Sequence, residues 1–370
     1  MNKKLTAIVS FLLLLVGIIG LKTIFKSPDT FTTHSKTDFY IISYGDVQGY
    51  RFKNNSLKQT SKDKIQLVKG QINPAVQRAE IDKRYLLFSE EGPPLGVVGR
   101  IIAMDFQKGT IKYNQTPDYA YSSSGISASY YFTSEASTDS TFLASFDSNL
   151  KEVSKYTFDE AVLGRDFSVD DNILYFLGTK VHGDGNYPTD LYKLVSDNGK
   201  VHLENVERLF ETSDKTYLFG DNIVKNNNLY AAVNGYRINS TKERIPIGQM
   251  LTYDMQTGHK ALIDLPEIAP LNIFDLGQDM IAIEHERNDS RKLGFSLFNL
   301  NNNSSSFIDL STFGLSVETD YIKDVKRLNN DLLLILSGSQ LLIYNTLTSQ
   351  VVLQESNMSP DSFHIWVNRQ

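Results

Sequence analysis

The densest set of oxygen ligands in the sequence lies in one short segment, His182–Asp190. Its side chains Asp184, Asn186 and Asp190 are of the types that bind Ca²⁺. A helix–loop–helix calcium site needs a longer loop that ends in a bidentate glutamate, and this segment has neither. We therefore predict a solvated loop between two strands here, and no metal site.

The sequence contains no local motif for acid–base, nucleophilic or phosphate chemistry. Asp170 and Asp171 are neighbours just before a predicted strand, and because adjacent side chains of a strand point to opposite faces they would not act as a pair, so a polar turn is the favoured interpretation. His285 and His364 lie within predicted strands, and a packed or hydrogen-bonded histidine is the favoured interpretation of each. The glycines of Glu90–Gly99 follow no strand-to-helix transition, so this segment is predicted to be a loop rather than a phosphate cradle.

The composition excludes further classes of protein. The 370 residues are 41% hydrophobic and 11% aromatic, which is too much apolar surface for a disordered chain. The absence of cysteine rules out a disulfide scaffold, a thiol nucleophile and thiolate metal sites. No cofactor is predicted.

The N-terminus predicts a membrane anchor. Leu5 to Leu21 are uncharged and contain no proline, and extending the run to Phe25 gives the length that spans a bilayer. No small-residue cleavage site follows, so an uncleaved signal-anchor is favoured over a cleaved signal peptide or a buried helix. The short positively charged tail before it places the long C-terminal part outside the cell, in a single-pass arrangement at the cell membrane. The predicted parts are a cytoplasmic tail (1–4), a transmembrane signal-anchor (5–25), a stalk (26–37) and one folded domain (38–370).

The charge of the predicted domain argues against nucleic acid as a partner. Five of the 37 basic residues and one of the 43 acidic residues precede residue 38, which leaves 32 and 42 and a net charge of −10. An acidic domain without a basic run has no electrostatic footprint for a polyphosphate. An exported chain without cysteine, rich in Asn, Lys, Ile and Tyr, is also typical of a Gram-positive bacterium.

Internal repeats predict the fold. Several segments share a short apolar strand, a turn opened mostly by Asp or Asn, and a second strand with alternating residues. The residues that open these turns recur at intervals of 42 to 59 residues. They are Lys53, Asp105, Asp147, Val195, Asp254, Asn299 and Asn345. Two more strands precede each pair, as in 164–169 followed by 172–178, which gives four strands per unit.

The ends of the chain complete the pattern. Residues 362–367 form a lone strand after the sixth full unit, and residues 38–45 form a strand that lacks its predecessor. Pairing them would close a seventh unit from both termini and remove exposed sheet edges. The prediction is an all-β ring of seven four-stranded blades, with six or eight blades, or two stacked β-sandwiches, as alternatives.

Over residues 38–370 the chain therefore resembles the seven-bladed β-propeller superfamily. The resemblance is architectural, because no Gly-His/Trp-Asp pair, kelch double glycine or other blade signature is present. It implies a fold and a place for a site at the mouth of the central channel, but no specific chemistry.

Candidate binding residues follow from this architecture. The loops from second to third strands gather on one face, and three of them are predicted to be long. They are Glu90–Gly99, Thr179–Thr189 and Tyr236–Gly248. They carry Tyr187, Tyr236 and Arg237, which are residue types that anchor contacts with a protein or glycan partner. Asp166 and His364 are predicted to lie near the lining of the channel.

Two classes of function fit these features. The favoured hypothesis is a membrane-anchored extracytoplasmic propeller that acts as a binding or scaffolding module at the cell surface. The alternative is an extracytoplasmic hydrolase or lyase with a site assembled in the channel from several blades, which would leave no local motif.

Overall fold

A computed structural model describes residues 29–68, 72, 78–81, 83–90, 99–115, 123–136, 140–180, 188–210, 213–286 and 292–368. These residues form 29 strands and one 3₁₀-helix, Leu310–Phe313. The first strands are β1 (Asp29–Thr30), β2 (Phe39–Ser43), β3 (Asp46–Lys53), β4 (Ser56–Lys64), β5 (Arg78–Ile81), β6 (Tyr85–Glu90), β7 (Arg100–Asp105) and β8 (Thr110–Gln115). They are followed by β9 (Ser123–Ile126), β10 (Tyr131–Ala136), β11 (Thr141–Phe146), β12 (Glu152–Thr157), β13 (Val162–Asp170), β14 (Ile173–Lys180), β15 (Thr189–Asp197) and β16 (Lys200–Arg208). The last are β17 (Lys215–Lys225), β18 (Asn228–Ile238), β19 (Arg244–Asp254), β20 (Lys260–Asp264), β21 (Pro270–Gly277), β22 (Met280–His285), β23 (Gly294–Asn299), β24 (Ser305–Asp309), β25 (Ile322–Arg327), β26 (Leu332–Ser337), β27 (Gln340–Asn345), β28 (Gln350–Glu355) and β29 (Ser362–Val367).

The strands form seven antiparallel sheets, which confirms the prediction of a seven-bladed propeller of four-stranded blades. Blade one has the order β29-β2-β3-β4, so the two ends of the chain share it. Blades two to seven each consist of four consecutive strands, from β5–β8 to β25–β28. The two terminal strands pair as predicted, and their register places Tyr40 opposite Trp366 and Ile42 opposite His364.

The sequence pattern of each blade explains its layers. Second and third strands, such as β6 and β26, are almost entirely buried, because they pack against neighbouring blades on both faces. Fourth strands, such as β12, alternate between exposed and half-buried residues. Paired asparagines such as Asn226 and Asn227 adopt positive φ and form tight turns between strands.

The apolar core is divided into clusters between adjacent blades. The largest fully buried side chain, Trp366, belongs to the closing strand β29 and is 1% exposed. Its ring stacks on Phe106 of blade two at a centroid distance of 4.2 Å and an interplanar angle of 9°. Because aromatic side chains bury the most area, this contact is a main packing element of the closure.

The ring has two faces, which differ in the connections that lie on them. The turn face is where first strands turn into second strands and third into fourth, for example at residues 54–55 and 226–227. The loop face is the opposite one, where second strands pass to third strands and each blade passes to the next, for example at residues 239–243 and 265–269.

The N-terminal part of the domain differs from the prediction. Residues 29–37 were expected in a stalk, but β1 adds a fifth strand to the edge of blade two, with Thr30 opposite Thr110. Phe31 is 5% exposed and packs on Phe106, and Thr32 bonds to Asp63 of blade one. A single buried aromatic residue and these hydrogen bonds hold an otherwise polar segment on the ring.

The predicted anchor, residues 5–25, and the tail before it lie outside the described residues. Within the residues that the structure describes, no helix is long and apolar enough to cross a membrane.

Candidate functional site

The seven first strands surround a central channel. Near the turn face they enclose a cavity of about 400 Å³. Its lining includes Ile81, Ile126, Val169, Ile223 and Phe274, interrupted by charged residues. The volume lies within the range of small-molecule sites, so the channel is one candidate site.

One position of the first strands is polar in five blades. It is occupied by Asp166, Asp221, Asn272, Asp324 and His364. β-bulges lie at or next to it in all five strands, and a bulge re-aims the side chains around it. Of these five residues, only Asp166 and His364 were predicted from the sequence.

Two of these aspartates connect neighbouring blades. Asp221 accepts a hydrogen bond from the backbone N–H of Ile273 in the next blade, at 2.9 Å. Asp324 accepts one from the backbone N–H of Ile365 in the same way, at 2.8 Å. A carboxylate that accepts a backbone N–H inside the protein satisfies a buried donor, so this part of the channel wall has a structural role.

His364 lies at the centre of a charged cluster formed by Glu80, Asp324, Lys326 and His364. Its Nδ1 is 2.8 Å from Oδ2 of Asp324, and its Nε2 is 2.9 Å from Oε1 of Glu80. The Nζ of Lys326 donates to the same Oε1 at 2.5 Å. The imidazole and the ammonium group therefore both lie against carboxylates of the cluster.

The electrostatics of Glu80 follow from this arrangement. Burial alone raises the pKa of Glu80, but Lys326 and then His364 more than offset it, so the pKa falls to about 2. The side chain remains 34% exposed inside the channel cavity. Glu80 is therefore ionised at any physiological pH.

The charged cluster connects three blades. Glu80 belongs to blade two, His364 to the closing strand of blade one, and Asp324 and Lys326 to blade seven. His364 is fully buried and each of its ring nitrogens lies beside a carboxylate of the cluster, so the imidazole is not open to a substrate. The geometry fits a structural contact between the blades that meet where the ring closes better than it fits a catalytic site.

A second candidate site projects from blade five on the loop face. β17, β18 and β19 are 11 residues each, the longest strands of the described ring. Residues 236–248, predicted to be a loop, are in fact the ends of β18 and β19 around a short turn. The prediction was wrong because both faces of this extended hairpin are partly solvated and its sequence is correspondingly polar.

Aromatic rings and cations cover this part of the hairpin. We call the group formed by Phe210, Lys215, Tyr217, Tyr236 and Arg237 the aromatic extension. Tyr217 and Tyr236 face each other across the strands at a centroid distance of 6.3 Å, and Phe210 lies 4.4 Å from Tyr217. The Nζ of Lys215 lies 4.8 Å from the centroids of both tyrosine rings. Tyr236 and Arg237 are half-buried, so part of each remains open to contact.

The remaining predicted residues have varied outcomes. Tyr187 lies outside the described residues. Asp166 lies in the bulged first strand of blade four, and its predicted place at the channel lining stays a prediction. Asp190, one of the considered calcium ligands, begins the buried part of β15 and forms an ion pair with Arg208.

The histidine and aspartate predictions outside the site are confirmed. Nδ1 of His285 bonds to the carbonyl oxygen of Ile268 and its Nε2 to Ser296, so it is a hydrogen-bonded sheet histidine. Burial lowers the pKa of His285. Asp170 ends a strand and Asp171 lies in the turn after it. Across the described ranges, no group of three or more His, Asp or Glu side chains could hold a metal ion.

Comparisons with known proteins agree with the architecture. No family model and no curated protein matches the sequence. Among solved structures, the chain is similar to the cobalt-substituted apocarotenoid oxygenase of Synechocystis, with a TM-score of 0.52, 12% identity and coverage of 91% of this chain and 93% of that one. It is also similar to U3-55K, with a TM-score of 0.50, 12% identity and coverage of 76% and 82%.

These similarities define the class of protein as a seven-bladed β-propeller. One neighbour is an oxygenase and the other is not named as an enzyme, and at such low identity the likeness extends to the fold alone. The function has to be argued from the sites of this chain.

Proposed function

We propose that the protein is a membrane-tethered extracytoplasmic β-propeller that binds a partner protein at the cell surface through its aromatic extension. The observation that carries the proposal is the extended hairpin of blade five, which presents Tyr217, Tyr236 and Arg237 beyond the ring. Tyrosine and arginine are the side chains that most often dominate the energy of protein interfaces.

The extension is suited to binding because its side chains are held on strands. Tyr236 packs against Tyr217 and under the amino group of Lys215, so little rotamer freedom remains to be lost on association. A rigid, half-exposed aromatic surface gives contact area at low entropic cost. The ring behind it acts as the scaffold.

The tether is proposed from the sequence. The uncharged run from Leu5 to Phe25 has the length of a membrane span, and the chain from Asp29 onward belongs to the propeller. In the sequence, residues 26–28 separate this run from β1.

Site-specific photo-crosslinking in the intact chain tests this proposal. A photoreactive amino acid at position 236 should capture a defined partner on the cell surface, whereas the same group at Tyr321 should not. Tyr321 is the matched control because it is 44% exposed on the loop face of a different blade. Arg237→Ala should weaken binding of the captured partner by ~1–2 kcal/mol.

Two results would count against a protein partner. Equal capture at positions 236 and 321 would mean that the extension has no special role. Binding of the intact chain to purified surface glycans, abolished by Tyr236→Ala, would make the partner a glycan.

The channel enzyme is the weaker alternative. The cavity has a suitable size, but Glu80, Lys326 and His364 are engaged with one another across the closure. Hydrolase or lyase activity that is lost in His364→Gln while the fold is retained would favour it.

A further inference from the structure

We infer that the turn face of blades one to three docks on the anionic surface of the membrane, so that the loop face points away from it. This inference rests on the proposed tether. It specifies the surface of the propeller that contacts lipid and the charge interaction that holds it there.

The first argument is where the chain joins the ring. The apolar run ends at Phe25 and β1 begins at Asp29, beside Ile111 and close to the turn between β7 and β8. An extended chain covers at most ~3.5 Å per residue, so this connection reaches roughly 14 Å. A domain of this size has a radius of gyration of ~20 Å, so the edge of blade two cannot move far from the bilayer.

The second argument is a cluster of cations around this point, which we call the basic sector. Six exposed lysine and arginine side chains lie on or next to the turn face of blades one to three. They are Lys36, Arg51, Lys53, Lys83, Lys108 and Lys151. None of the six forms an ion pair with another described residue, so their charge is available to an external anion.

The carboxylates of the same sector are engaged. Asp38 accepts a hydrogen bond from the backbone N–H of Phe52, and Asp147 accepts bonds from turn amides. Asp105 is paired with Arg84 at 2.8 Å. Because hydrogen bonds to backbone N–H leave a carboxylate charged, the balance rests on number: six cations outnumber Asp38, Asp147 and the exposed Glu152, so the sector is positive in an otherwise acidic domain.

The rest of the turn face differs. In blades five to seven it carries the carboxylates Asp254, Asp279 and Asp331 and the cation Arg327, while Asp275 is paired with Lys225 at 2.5 Å. The positive charge is thus concentrated on the side from which the tether leaves. Each lysine or arginine held near an anionic bilayer strengthens association about fivefold, so several together fix an orientation.

This orientation agrees with the proposed function. With the turn face of blades one to three on the bilayer, the aromatic extension of blade five lies on the opposite face and remains accessible. The charge–membrane contact would weaken at high ionic strength, because exposed charges are screened over about one Debye length.

Fluorescence quenching in reconstituted intact protein tests the inference. The chain has no cysteine, so Gln107→Cys, Leu347→Cys and Ser240→Cys each provide one labelling site. They report on the basic sector, on the turn face of blade seven and on the loop face. Each labelled protein is placed in vesicles that contain quencher-labelled lipid, made of phosphatidylcholine alone or of phosphatidylcholine with phosphatidylglycerol.

We expect strong quenching at position 107 in the phosphatidylglycerol vesicles, less at 347 and least at 240. The signal at 107 should fall toward that of phosphatidylcholine vesicles when salt is raised. The double variant Lys83→Glu/Lys108→Glu should abolish the dependence on phosphatidylglycerol. Lys64→Glu/Lys242→Glu, with the same change in net charge at exposed positions of the loop face, should retain it.

The outcomes separate this inference from the proposed tether. If the intact chain does not float with either kind of vesicle, the tether is wrong and the orientation fails with it. If the chain floats but label 107 is quenched no more than label 240, or equally in both lipids, the tether stands and the docking surface is wrong.

Discussion

The charged cluster in the channel and the aromatic extension of blade five use similar side chains for opposite purposes. In the channel, Glu80, Lys326 and His364 contact one another and connect three blades. On the extension, Lys215 and Arg237 lie among tyrosines that remain half-exposed. The presence of charged and polar side chains therefore says little about binding until the contacts that each of them makes within the protein are known.

A physical reason underlies the difference. A propeller closed from its two termini has one blade that is not continuous in sequence, so that blade needs additional contacts. Trp366, His364 and the backbone N–H of Ile365 supply them from one six-residue strand. Blade five is continuous, and the ends of its long strands are free to serve another purpose.

The largest expected effect concerns the closing strand itself. Truncation after Pro360 removes β29, unpairs β2 and exposes the first strands of both neighbouring blades. The loss should exceed the ~5–15 kcal/mol that stabilises a typical domain. Urea titration followed by circular dichroism should show no cooperative transition.

A truncated protein that unfolds as cooperatively as the intact chain would show that blade one tolerates a missing strand. Deletion of residues 1–28 is the matched control. It leaves β1 in place and should preserve the transition.

Trp366→Ala should have the next largest effect. It creates a cavity between blade one and blade two and removes the stack on Phe106, which for a buried tryptophan costs ~3–5 kcal/mol. Trp366→Phe keeps an aromatic ring in the stack and should lose clearly less. Similar stability of both variants would mean that the stack contributes little.

The acid dependence of stability tests the charged cluster. The pKa of Glu80 is held at about 2, below its ordinary value near 4.5, so its contribution is fully present above pH ~4.5 and is lost as the pH falls toward 2. Glu80→Gln should therefore be less stable than the natural chain at pH 7, and the difference should shrink in acid. Because a third of Glu80 is exposed to solvent, we expect about 1–2 kcal/mol.

Glu318→Gln serves as the control for this measurement, since Glu318 is exposed on the loop face. Its stability should follow that of the natural chain at every pH. A difference between Glu80→Gln and the natural chain that stays constant with pH would contradict the assigned ionic role of Glu80.

The ring could be predicted from the sequence because its signal is local and repeated. Each unit carries its own alternating strands and its own Asp, Asn or Gly turn, and the lone strand at 362–367 has only one place to pair. The charged cluster could not be predicted, because Glu80 and Lys326 are 246 residues apart and meet only when the ring closes. An alignment of the first strands would have shown the recurrent polar position. At this position, Asp221 and Asp324 accept backbone hydrogen bonds from the next blade.

Two segments were misjudged for the same physical reason. Residues 236–248 and 29–37 are polar, and polar segments are expected in loops and linkers. The first is held in strands by pairing with β17 and β19, and the second by the burial of Phe31 on Phe106. Such long-range contacts are not encoded in local composition.

The smallest effect on stability is expected for Tyr236→Ala, which sharpens the comparison with Trp366→Ala. Both substitutions remove an aromatic side chain, but Tyr236 is half-buried and its neighbour Tyr217 keeps its contact with Phe210. The loss should be about 1 kcal/mol, the value of a cross-strand aromatic pair, while the acid and urea transitions keep their shape. The free energy of partner binding measured on the same protein should fall by ~1–2 kcal/mol. For Tyr236→Ala, unlike Trp366→Ala, the loss of binding free energy then equals or exceeds the loss of stability. A stability loss as large as that of Trp366→Ala would instead make the extension part of the structural core, and the contrast between the two regions would disappear.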